Sequence, residues 1–60
     1  MKRQAFIREL EQAGCLLHRY GGRHDVYRNP VNGRKAPVPR HREIGDMLCK
    51  VIRKQLGLGA

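Results

Sequence analysis

Two runs of strand length, Cys15 to Tyr20 and Arg23 to Asn29, meet across the pair Gly21-Gly22. A Gly-Gly pair tolerates the positive φ angles that two-residue hairpin turns demand, so the spacing predicts a tight β-hairpin at this point. The second run alternates cleanly, with His24, Val26 and Arg28 on one face and Asp25 and Tyr27 on the other. The first alternates only in part, setting Cys15, Leu17 and Arg19 against Leu16, His18 and Tyr20.

The flanking segments follow a longer period. From Met1 to Ala13, Phe6, Leu10 and Ala13 recur at helical spacing, with Ile7 widening the stripe, and Gly14 stands where a helix ends in a left-handed residue. Asn29-Pro30-Val31-Asn32-Gly33 is turn chemistry throughout. A third strand is expected over Arg34 to Val38, and Pro37, which cannot donate to a central ladder, requires that it lie at a sheet edge or end early. After the basic connector Pro39-Arg40-His41-Arg42, a last helix opens with Asp46 as its expected N-cap. Ile44, Leu48, Val51, Ile52 and Gln55 form its expected inner stripe, bordered by Met47 and Leu56. Gly57 stops it, and Leu58 is placed to fold back. The fold class is therefore α+β: one small domain over residues 1–60, in the order α-β-β-β-α, with a three-stranded antiparallel sheet and both helices on one face.

A chain of sixty residues buries only about 60% of the surface its unfolded form exposes, so nearly every large apolar side chain is needed in the core. Two cysteines, Cys15 and Cys49, are too few for a disulfide framework and make no C-x-x-C. With no signal-peptide pattern at the start, a reducing cytoplasm is the expected setting, with both thiols as small core residues. No apolar run approaches the roughly 20 residues of a membrane span. The charge is the strongest global signal. Thirteen Lys and Arg against five Asp and Glu give +8, and nine of the thirteen cations are arginine. The planar guanidinium fork matches phosphate and stacks on bases, so an arginine-biased excess points to nucleic acid. An acidic partner protein is the competing use of such a surface.

Histidine alone has an unperturbed pKa near neutrality, which makes it the usual general acid or base. His24 follows the predicted turn among Arg19, Arg23 and Arg28, and these cations are candidates for holding a phosphate beside it. Arg40 and His41 extend the same chemistry into the connector, with His41 a candidate second proton-transfer group. Cys15, His18, His24 and Cys49 show no recognised zinc spacing, and no metal or other cofactor is expected.

At larger scale the order of residues resembles a known family. A helix is followed by Gly14, Leu17, Arg19, Gly22, His24, Tyr27, Pro30, Gly33, Arg34, Val38, Pro39 and His41, and the chain closes on Gln55-Leu56-Gly57-Leu58. This series resembles the HicA toxins of bacterial toxin–antitoxin systems, small RNA-cleaving proteins on a double-stranded-RNA-binding-like (dsRBD-like) fold. The resemblance spans almost the whole chain. It implies that His24 is catalytic, that mRNA is cut independently of the ribosome and without a metal, and that a HicB-type antitoxin, expected to be acidic, neutralises the toxin. Arg23 departs from the family's usual serine, and Asp25 stands where a second polar residue or a histidine is frequent. A non-catalytic RNA-binding module of the same topology is the alternative.

Overall fold

A computed structural model describes residues 1–59. The elements run α1 (Arg3–Gln12), β1 (Leu16–Tyr20), β2 (His24–Arg28), β3 (Lys35–Pro39) and α2 (Asp46–Gln55). The sheet is antiparallel in the order β1-β2-β3. Phe6 and Leu10 of α1, Cys49 and Ile52 of α2 and Leu56 just past its end meet Tyr27, Ala36 and Val38 of the sheet in one cluster. Both helices thus cover the same sheet face, as the α-β-β-β-α pattern predicts. Cys15 and Cys49 are free thiols within that cluster, and burial pushes the Cys15 thiol up from its ordinary value.

Both glycine stops behave as expected. Each helix ends in a Schellman motif. Gly14 and Gly57 adopt φ of 93° and 71°, Cys15 N–H reaches the Leu10 carbonyl at 2.9 Å, and Leu58 N–H reaches that of Arg53 at 2.8 Å. Leu58 packs back on the core. The Asn29–Gly33 loop then closes the far end of the sheet against α2. Asn29 and Asn32 each donate a side-chain N–H to the Leu56 carbonyl, at 2.9 and 3.0 Å, which satisfies an acceptor that the helix end leaves free. The helices are tied to each other by Arg53, which donates to Glu9 and lies over the Phe6 ring, 5.3 Å from its centroid.

Three expectations shift. Helix α1 starts at Arg3, and Ala13 is exposed beyond its last turn. In α2 the N-cap is Gly45, and Asp46 makes no side-chain cap bond, because it already has helical position in the first turn. The inner stripe of α2 is Cys49, Ile52 and Leu56, at i, i+3 and i+7, while Leu48 and Val51 are about two-fifths exposed, Met47 more so, and Gln55 is exposed. The apolar residues of this helix outnumber the buried positions, so their distribution alone admits a rotation of the stripe by one residue.

Strand β3 is the edge strand that Pro37 requires. Pro37 pairs with Val26 and Pro39 with His24, so the ladder donors of β3 are Ala36 and Val38, and the two positions without an N–H face outward.

Candidate functional site: a histidine cleft at the hairpin end of the sheet

The chain reverses one residue later than the glycine pair suggests. Gly21 N–H donates to the His24 carbonyl at 2.7 Å, closing a turn whose centre is Gly22-Arg23. Neither glycine uses a positive φ. Gly21 is required for closeness of approach instead, since a Cβ there would collide with the His24 carbonyl oxygen. His24 is consequently the first residue of β2 and the partner that closes the turn, with its side chain exposed.

The register also corrects the face assignments in β1. Leu17 lies opposite Tyr27 and Arg19 opposite Val26, with a bulge at His18 between them. The extra residue reverses the alternation, so Arg19 leaves the face of Leu17 and joins Leu16, His24, Val26 and Arg28 on the helix-free side of the sheet. Tyr20, opposite Asp25, is three-quarters exposed at the strand end, whereas Tyr27 is core.

Beneath the hairpin sits a charge network. Asp25 points to the helix side and is only 8% exposed. Its Oδ1 accepts from Arg40 Nε and Nη2, at 2.9 and 2.7 Å, and its Oδ2 from Arg3 Nη2 at 2.9 Å. Hydrogen bonds from Arg40 foremost, then the charges of Arg40 and Arg3, hold its carboxyl below the ordinary aspartate value of 3.8, against an opposing effect of burial. Arg40 Nη2 also donates to the Gly21 carbonyl at 2.8 Å, and Arg3 Nε to that of Pro39 at 2.8 Å. One carboxylate thus joins α1, the connector and the turn that carries His24. Most of the Arg40 fork is engaged in this way, so the guanidinium is fixed in place as a wall of the site.

On that wall Arg23, His24, Arg40 and His41 line an open cleft of about 480 Å³. Of the residues expected in an RNA-handling site, these four come together. Arg19 and Arg28 do not line the cleft but lie on the adjoining open sheet face, Arg28 half-buried. Asp25 and Arg3 were missed as contributors. The signal was available in the alternation, which puts Asp25 on the core-facing side of β2, where a carboxylate needs a cationic partner. Among the described residues, no group of three or more His, Cys, Asp or Glu side chains converges as metal ligands.

The protein is thus a small basic α-β-β-β-α domain whose surface cleft gathers two histidines, Arg40 and an arginine, Arg23, that has no carboxylate partner among the described residues. The sequence model for the HicA toxin of bacterial toxin–antitoxin systems matches residues 3–58, and the chain belongs to that family. HicA toxins are mRNA-cleaving ribonucleases that work in pairs with an antitoxin. Neither a curated protein nor a solved structure matches the chain.

Proposed function

We propose that the protein is a ribosome-independent endoribonuclease that cuts mRNA by proton transfer through His24, without a metal. The observation that carries this reading is the shared cleft, which sets His24 and His41 around one space with Arg23 at its margin. A neutral imidazole takes the proton of a ribose 2′-hydroxyl, and the 2′-oxygen attacks the adjacent phosphorus. The bond to the 5′-oxygen of the next nucleotide breaks, and that oxygen leaves with a proton given by an imidazolium. The products are a 2′,3′-cyclic phosphate and a 5′-hydroxyl end. His24 supplies one of the two proton transfers and His41 the other. Arg23 neutralises charge developing on the phosphoryl oxygens, and Arg40 holds the turn that presents His24. Arg19 and Arg28 bind flanking backbone from the open sheet face. A HicB-type antitoxin, acidic to match the +8 charge, blocks access to this cleft.

Incubation of the purified protein with single-stranded RNA, in chelator and without ribosomes, tests the reading. Cleavage leaving cyclic-phosphate ends, abolished in His24→Ala, is the expected result. Retention of RNA without cleavage would favour the non-catalytic binding module.

A further inference from the structure

A second and larger concavity, about 590 Å³, shares Arg40 with the histidine cleft and is lined by Lys2, Arg3, Gln4, Arg40, Arg42 and Glu43. Nothing in the proposed proton transfers uses it. We infer that this cleft binds a backbone phosphate of the same RNA strand, next along from the one held at His24 and His41, with Lys2 and Arg42 as the phosphate-binding cations.

Three observations carry the inference, which rests on the RNA reading above. The first is continuity: Arg40 lines both clefts, so a strand lying in one and crossing Arg40 enters the other. The second is charge. Four cations face one carboxylate, Glu43, and Arg3 and Arg40 already share Asp25. Among the described residues Lys2 and Arg42 have no carboxylate partner, so the concavity holds like charges that repel one another until an anion enters. The third is rigidity. Lys2 and Glu43 form an antiparallel bridge, Arg3 N–H donates to the Arg42 carbonyl at 2.8 Å, and Ile44 N–H to that of Met1 at 2.8 Å. The segments bearing Lys2 and Arg42 are therefore laddered to each other before any ligand arrives, which lowers the ordering cost of binding. Phosphodiester is the anion that fits, because it reaches this cleft as part of a polymer already held next door.

The test measures binding, not cleavage. In a His24→Ala background, anisotropy of a labelled single-stranded RNA oligonucleotide is followed across a salt series. Adding Lys2→Gln and Arg42→Gln should weaken binding about tenfold at low salt and make the log–log salt slope shallower by about 0.7 for the phosphate lost. Arg34→Gln with Lys54→Gln removes equal charge at the opposite end of the sheet, near the loop that caps α2, and should change affinity by less than about threefold. Both cleft residues are exposed, and Lys2→Gln alone should give a partial loss if the double variant melts early. Equal losses in the two double variants, or an unchanged slope in the first, would overturn the subsite, including a case where only antitoxin binding falls. If the wild type cuts no RNA while the slope still changes with Lys2 and Arg42, the subsite stands and the proposed catalysis fails.

Discussion

Arg40 grips Asp25 through two nitrogens at once, Nε at 2.9 Å and Nη2 at 2.7 Å, and both contacts fall on the single oxygen Oδ1. Each partner of this ion pair is the sequence neighbour of a cleft histidine, Asp25 of His24 and Arg40 of His41. Two segments separated by the whole of β3 are therefore held in fixed relation at the point where the proposed proton transfers occur.

Asp25→Ala should expose the dependence. The substitution leaves Arg3 and Arg40 facing each other, partly buried and without their shared carboxylate, and removing one member of such a pair costs more than the intact pair contributes. The thermal midpoint should fall, and RNA cleavage should fall further than the population of folded protein accounts for, because the Gly21 carbonyl loses its Arg40 anchor. Circular dichroism and cleavage rates on the same samples check both. A variant as stable and as active as the parent would remove the network from the account.

The same pair sets an acid limit on stability. The folded-state pKa of Asp25 lies below its unfolded value, so its contribution is present in full above the ordinary aspartate range and is lost as pH falls through the lowered folded value. Glu9, held low chiefly by its hydrogen bond from Arg53, acts in the same direction. Urea midpoints should be level near neutrality and decline below about pH 4, and Asp25→Asn should flatten that decline. An Asp25→Asn profile parallel to the wild type down to the acid limit would count against this assignment.

His24→Ala should lower cleavage by about 10²-fold to 10⁴-fold. Its side chain is exposed at the start of a strand, so stability should change by less than about 0.5 kcal/mol. RNA affinity should hardly move, since thirteen cations remain. Should His41→Ala abolish cleavage while His24→Ala leaves it near normal, the family correspondence has been carried to the wrong histidine.

Gly21→Ala probes the turn itself. A methyl group at this position meets the His24 carbonyl, which is backbone and cannot swing away as a side chain would. The substitution should cost about 1–3 kcal/mol and displace the closing bond to His24. Gly22→Ala is the control, because a Cβ there meets nothing within 4 Å. Equal losses at the two positions would point to backbone entropy alone.

Element order was legible because its signals are local. Glycines at two helix ends, a proline at an edge and an Asn-Gly turn each act within a few residues. The precise faces were harder to read. The bulge at His18 inserts one residue into an irregular alternation, and no side chain in Leu16–Tyr20 announces it. In α2 the stripe was misplaced because Met47, Leu48 and Val51 are as apolar as the residues that are buried. The cleft was half legible. His24 stood out by chemistry and position, but its proximity to His41 depends on the β2–β3 register and on the Asp25 contacts, both of them long-range.

The prolines of β3 bear on how the molecule lives among its own copies. A sheet of three strands has two borders, and a newly made chain at high local concentration is exposed to recruitment along either. On the β3 border, Pro37 and Pro39 remove two successive outward donors, and the Pro39 carbonyl is already taken by Arg3. That side is closed to strand addition by the covalent structure of its residues, before any partner binds. Growth through the sheet is left only the short β1 border, where the bulge at His18 breaks the spacing that a fourth strand would have to match.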